Sequence, residues 1–473
     1  MVNFESADII LILLFFLLVL LAGAISVRVA QRKKGGAEDY LLSGRNVGLF
    51  LFILTNVSTW YGGILGVGEL TYNYGLLGWV TQGLPYYVFA ILFALFFSKK
   101  IRSTSLFSIP DKIEQTYGKS AALLSAVSIF MLVSPAPYLL MAASLVSMVF
   151  KVNMIASLII TAFLSMIYLF RGGYRSDLYT DAVEFFVMFG GFIVMLVWAV
   201  MYLGGSDYLL KNLPAEHLSF SGGASPGYIS AWFLIALWTF TDPGFHQRCY
   251  AARSGEVAKK GILWSILLWM LFDFLTTSVG LYARAALPGL DRPAMSFALL
   301  AEKILPAGVK GIFFAGMFAT ILSTLNSFMF LSASTFGRDM MMRSALSDRN
   351  EGSAEMTKRN ASIGLLITGG LSVLLAWLIP SVIGLWYTIG TIFIPGLILL
   401  VVGAYYEKFR IGKRDAVIEI IVSSTASLVW FLLRYLFPAE SLFVNTEPML
   451  IGMSVSLIIH FYSLYRRRYL QNA

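Results

Sequence analysis

The chain has 473 residues, 58% of them hydrophobic and only 13% charged. Soluble domains carry about 25% charged residues, so the composition excludes an ordinary soluble protein and describes an integral membrane protein with many spans. A net charge of +9 would suggest nucleic acid in a soluble chain. Here the excess of Lys and Arg in cytoplasmic loops accounts for it, and no nucleic-acid partner is expected. Cys249 is the one cysteine, which excludes an internal disulfide.

Hydropathy predicts thirteen spans, numbered here in chain order: 7–29, 48–72, 76–98, 121–150, 153–170, 177–204, 226–250, 258–286, 308–336, 360–379, 381–406, 415–437 and 447–466. The first has no basic leader before it and is not expected to be a cleavable signal. Alternate loops hold 28 of the 35 Lys and Arg, which predicts an outside N-terminus and a cytoplasmic C-terminus. The loops 205–225, 287–307 and 337–359 are too short to bury a core of their own, so no soluble domain is expected.

Span two, after EDYLLSGRNVG, meets Asn56, Ser58 and Thr59 and then Gly62, Gly63, Gly66 and Gly68. That glycine density serves either close helix packing or an unwound point whose carbonyls are free to bind an ion. Span three brings Gln82 and Pro85. The loop SIPDKIEQTYGK is amphipathic and suits the cytoplasmic membrane surface. Span four must kink at Ser134-Pro135-Ala136-Pro137.

Span six carries Asp177, expected at the inner interface and solvated, then Asp181 and Glu184 one to two turns deeper. An acid at depth is a functional candidate or is paired with a cation. Span seven contains Asp242-Pro243-Gly244, which breaks the helix, followed by His246, Gln247 and Arg248. Arg248 is expected to pair with Asp242 or to snorkel, and His246 to be a solvated ring at the inner interface. Asp273 in span eight is the deepest acid. Span nine places Thr320, Ser323, Thr324, Asn326 and Ser327 close together on one helix, a face for packing or for a dehydrated cation.

Broken spans two and seven lie five spans apart. Discontinuous helices at corresponding positions of two halves point to an inverted-repeat transporter, with an ion site where span two meets span nine. The expected organisation is an extra helix (1–30), a first five-helix repeat (38–206), a second inverted repeat (225–410), and two C-terminal helices with a cytoplasmic tail (411–473).

EDYLLSGRNVG, SIPDKIEQTYGK, GGYRSDLYTDAVE and the STLNS…GRD end of span nine resemble the ordered motifs of the sodium:solute symporter family, over residues 38 to about 410. The resemblance implies an all-α membrane fold of five-plus-five inverted repeats, LeuT-like and APC-type, with extra helices at both ends. It implies Na⁺ as coupling ion, held by the carbonyls of Leu54, Val57 and Thr320 and the hydroxyls of Ser323 and Thr324. It also implies a second sodium or an exit path at Asp181, Asn326 and Ser327, although Asn326 stands where two-sodium members carry Ser. Glu184 replaces the family's usual Gln. Solute contacts would fall on Asn56, Ser58, Trp60, Tyr61 and Gln82, with Asp242 and Asp273 suiting a cation, an amine or a polyol. Span four lacks an Arg near Ser134–Tyr138, unlike the sialic acid type, and DPGFHQR differs from the proline- and sugar-carrier patterns.

Three readings follow: Na⁺-coupled uptake of a small polar organic solute by alternating access, an H⁺-coupled carrier using Asp181, Glu184 or Asp273, and, remotely, a membrane enzyme. The enzyme has only His246 to rest on, with His217 and His460 elsewhere, and is not expected. The expected location is a cell membrane, the inner membrane of a bacterium.

Overall fold

A computed structural model describes residues 2–32, 36–167, 169–341, 354–379, 381–439, 442–443 and 446–472. Lys33, Lys34, Arg343 and Arg349, four of the residues in the loop-charge count, lie outside the described residues.

Every predicted span is covered by one helix or by two or three helical segments. Nine described helices are long and apolar enough to cross a membrane. The other four stretches fall short for local reasons. Span two splits into Leu49–Ser58 and Ile64–Tyr74 around its glycines. Span seven runs Pro226–Ile235, tightens to a 3₁₀ segment Ala236–Phe240, and restarts as Pro243–Ala251. The restart follows from the sequence: Asp242 Oδ1 accepts the Phe245 N–H at 2.9 Å, capping a helix whose first residue is proline. Span eleven splits into Val382–Phe393 and Ile398–Tyr405 around Pro395-Gly396, a break that hydropathy alone does not reveal. Span five is simply short, Met154–Met166.

Span nine, Val309–Ser334, is the axis of the molecule. Of its most apolar window 89% is buried, against 28% for span one, Ser6–Arg32. Its main partner is span six, inside Leu169–Leu203. The two cross where Gly191 faces Gly316, and a Cβ on Gly191 would stand 3.0 Å from the Gly316 Cα. Small residues let the backbones close up, and membrane helices without a hydrophobic drive between them depend on such contact. Gly173 holds φ +57°, a left-handed turn that sets 169–172 off from the rest of span six.

Ile10, Leu14, Leu17 and Leu21 of span one, Ile159 and Phe163 of span five and Phe274 of span eight are exposed. In water such a surface would aggregate, whereas lipid satisfies it. The predicted surface helix forms as Ile109–Tyr117, with Ser108 as its cap and Ile109, Ile113 and Tyr117 buried.

Candidate ion and solute site

The break in span two releases backbone groups that a continuous helix would use. The helix Leu49–Ser58 ends by tightening: Thr59 N and Thr59 Oγ1 both donate to the Thr55 carbonyl, at 3.3 and 2.6 Å. Trp60 N donates to the Val57 carbonyl at 3.2 Å. Span nine supplies the facing wall. Thr324 Oγ1 donates to the Thr59 carbonyl at 3.0 Å, and Gly62 presses so closely on the Thr324 side chain that a Cβ would overlap it. A hydroxyl that gives its proton to a carbonyl keeps its lone pairs for another partner, such as a cation.

Span six brings the acids. Asp181 accepts from Thr55 Oγ1 of span two and from Ser323 Oγ of span nine, the latter at 2.7 Å. One carboxylate therefore joins both walls of the break. One turn earlier, Asp177 accepts from Ser327 Oγ at 2.6 Å. Asp177, Asp181 and Glu184 are all fully buried. Asp177 Oδ1, both Glu184 oxygens and Asn326 Oδ1 have no hydrogen-bond partner among the described residues. Buried acceptors without donors are costly until a proton or a cation meets them.

The base of this region comes from span seven. Arg248 is buried and donates to Thr59 Oγ1 at 2.5 Å, reaching the Thr55 carbonyl and hydroxyl at 3.4 and 3.5 Å. The two broken helices are thus tied to each other through one guanidinium.

The residues expected from the sequence to form the site divide in two. Val57, Ser323, Thr324 and Asp181 come together at the break, beside buried Leu54. Thr320 is turned onto its own helix, where Oγ1 donates to the Gly316 carbonyl at 2.5 Å. Ser327 goes to Asp177 rather than to Asp181. Ser58 Oγ donates back to the Thr55 carbonyl at 3.4 Å, and Asn56 Nδ2 and Gln82 Nε2 find no acceptor among the described residues. Trp60 stacks near Trp269, with ring centroids 4.9 Å apart, and Tyr61 donates to the Trp269 carbonyl at 2.7 Å. Asp273 accepts from Tyr87, while Asp242 is occupied in capping its helix.

Three expectations are corrected. Asp177 is not solvated at the interface: the left-handed turn at Gly173 starts the span early enough to carry it inside, fully buried. Arg248 neither snorkels nor forms an ion pair with Asp242, because the 3₁₀ segment and the Asp242 cap aim Pro243–Ala251 at span two. His246 is buried rather than solvated, with Nε2 3.0 Å from the Phe240 carbonyl. Sequence reasoning noted Tyr87 in span three without giving it a role, and gave none to Thr55, Tyr138 or Trp386. Thr55 had a signal, standing one turn before Thr59 on the same helix face.

The model of the sodium:solute symporter family matches residues 40–422. The human high affinity choline transporter 1 is 26% identical over 414 residues, covering 81% of this chain and 70% of that protein. The sodium/pantothenate symporter of Haemophilus influenzae is 25% identical, covering 85% of this chain and 86% of that one. A solved structure described as the substrate-bound outward-open state of a Na⁺-coupled sialic acid symporter superposes with a TM-score of 0.82 at 17% identity, covering 98% of both chains. That likeness establishes the LeuT-like, all-helical fold. With a family match across most of its length, the chain belongs to the sodium:solute symporter family, a family of multi-pass membrane transporters whose coupling ion is Na⁺.

Proposed function

We propose that this protein moves a small polar organic solute inward with Na⁺ by alternating access, and that Na⁺ binds where the break of span two meets span nine. The observation that carries the reading is Asp181 holding Thr55 and Ser323 together across that break. The carbonyls of Leu54 and Val57 and the oxygens of Ser323 and Thr324 are neutral hard donors, suited to a dehydrated monovalent cation. Thr320 belongs to the set through its carbonyl, and Asp181 supplies the balancing charge. Asp177, Asn326 and Ser327 form a step toward the inner face, along which Na⁺ would leave or bind a second time.

In this reading residues 38–206 and 225–410 are the two inverted repeats, and the N-terminus lies outside with the C-terminus in the cytoplasm. The conformation fits an inner side that is shut. Arg338 pairs with Asp111 at 2.9 Å and Asp339 at 2.8 Å, and Tyr250 reaches the Ser108 carbonyl at 3.3 Å and Tyr405 Oη at 2.9 Å. Na⁺ would favour the outward-open state by binding it better.

The test is a thermal-shift titration with Na⁺ against K⁺ at constant ionic strength, on wild type and on Ser323→Ala/Thr324→Ala. Stabilisation by Na⁺ that disappears in the double variant is expected. Equal behaviour of Na⁺ and K⁺ sinks the assignment. One observation favours a second reading, coupling to H⁺: neither Glu184 oxygen has a partner among the described residues, so a proton there would relieve the cost. Uptake driven by a pH gradient without Na⁺, and lost in Glu184→Gln, would select it.

A further inference from the structure

Symport leaves the solute undefined, and the aromatic half of the site narrows it. Trp60 sits in the gap of span two and meets Tyr86 of span three edge to face, with centroids 5.0 Å apart. Tyr138 of span four packs 5.8 Å from Trp386 of span eleven, and Trp386 lies against Gly63 in the same gap. Asp242 is within electrostatic reach of both Tyr86 and Tyr138. One carboxyl therefore stands near two of these rings, and Phe245, whose N–H it accepts, packs 5.8 Å from Trp60. Rings that only fill a core are sealed, as Phe272, Phe297 and Phe313 are. Trp60, Tyr86, Tyr138 and Trp386 stay half-buried, and Asp242 keeps 7% of its own surface.

Charge decides the sign of the ligand. Asp242 Oδ1 takes the Phe245 N–H, and among the described residues no base is in an ion pair with this carboxyl. Arg248 acts on this carboxyl from a distance, while its hydrogen bonds go to Thr55 and Thr59. Ring faces are negative and attract cations, most strongly where water is excluded. An anionic solute would meet repulsion from the carboxylate, and rings beside a carboxylate favour a cation over a neutral polyol. We propose that the solute is an organic cation, a quaternary or tertiary ammonium held by Asp242 and the rings of Trp60, Tyr86, Tyr138 and Trp386. A quaternary group spreads its charge over methyls and has no N–H to satisfy, which matches rings better than it matches carbonyls. The inference rests on the symport reading, because the gap of span two receives a solute only if it is a transport site.

The experiment measures thermal stability of the purified full-length protein in NaCl and in KCl at equal ionic strength. The probes are tetramethylammonium and choline, with glucose and pantothenate as neutral and anionic comparisons. Stabilisation by both ammonium probes alone, larger in Na⁺ than in K⁺, is expected. Apparent choline affinity should fall roughly tenfold in Trp60→Leu and in Tyr138→Leu, and further in Asp242→Asn. The two ring variants keep the test decisive should Asp242→Asn, which weakens a helix cap, fail to fold. A shift with glucose or pantothenate in place of the ammonium probes overturns the inference. So does a Na⁺ shift to which no ammonium probe adds, and in that case the symport reading stands. Ammonium shifts equal in Na⁺ and K⁺ keep the cation site and overturn sodium coupling. Ammonium shifts unchanged in every variant overturn the location.

Discussion

Charges at the rims of this molecule and charges at its centre follow different rules. At the rims acids and bases meet directly. Arg175 pairs with Asp39, Lys310 with Glu302 at 2.9 Å, Arg338 with Asp111 and Asp339, and Arg466 with Asp415 at 2.8 Å. At the centre Asp177, Asp181, Glu184, Asp242 and Asp273 are buried, and among the described residues none of the five is in an ion pair. Asp177, Asp181 and Asp242 share one buried guanidinium, Arg248, whose hydrogen bonds go to hydroxyls and a carbonyl. Rim pairs are complete within the chain and can only hold it together. The centre is short of positive charge, and that deficit is what a transported cation would fill.

The largest effect should come from deepening the deficit. Arg248→Met removes the central base and leaves Thr59 Oγ1 and the acids behind it without positive charge. Breaking a buried charge arrangement from one side costs about 3–5 kcal/mol. Thermal unfolding in detergent should show a large loss, and high Na⁺ should restore part of it while K⁺ does not. Equal rescue by both ions would mean that Arg248 balances charge unrelated to the ion site.

Gly62→Ala should have a smaller effect of a different kind. Its Cβ would overlap the Thr324 side chain, so span two must move off span nine. Overpacking of this sort costs about 1–3 kcal/mol. The loss should appear chiefly as weaker Na⁺ stabilisation, since the moved parts are the two walls of the proposed site. Unchanged Na⁺ affinity in a destabilised variant would separate the glycine from the ion.

The two regions also differ in how far the sequence discloses them. Hydropathy depends on local composition, so the spans and the break at Asp242-Pro243 could be read directly, whereas the glycines of span two left packing and a break equally open. The meeting of span two with span nine followed from repeat spacing, and Thr324 on the Thr59 carbonyl matches it. The direction of Arg248 was not legible. It depends on the 3₁₀ turn before Asp242, which rotates the following helix, and rotation is set by packing between distant segments. Burial of Asp177 was hidden for a similar reason, because one left-handed glycine moved the start of its span. Tyr138 carried no role in the sequence, and only the fold brings it against Trp386 and within electrostatic reach of Asp242.

The smallest effect belongs to the rim, and it tests whether rim pairs act on conformation. Arg338 is 24% exposed and joins the surface helix Ile109–Tyr117, through Asp111, to the segment that continues span nine, through Asp339. Losing these charge-assisted contacts should cost about 1–3 kcal/mol, less than losing Arg248. In the proposed alternating access, opening the inner side would break the same contacts, so Arg338→Ala should shift the balance toward the inward-facing state even where it barely moves the melting temperature. The chain carries its own reporter. Cys249 is its single cysteine, fully buried near the inner end of span seven, beside the Tyr250 that reaches Ser108. A membrane-impermeant maleimide applied to the cytoplasmic face should label Cys249 faster in Arg338→Ala than in wild type. Na⁺ should slow that labelling by favouring the outward-open form, and K⁺ should not. Labelling at equal rates in both proteins, or indifferent to Na⁺, would show that the rim pair is a fastening for the fold and takes no part in gating.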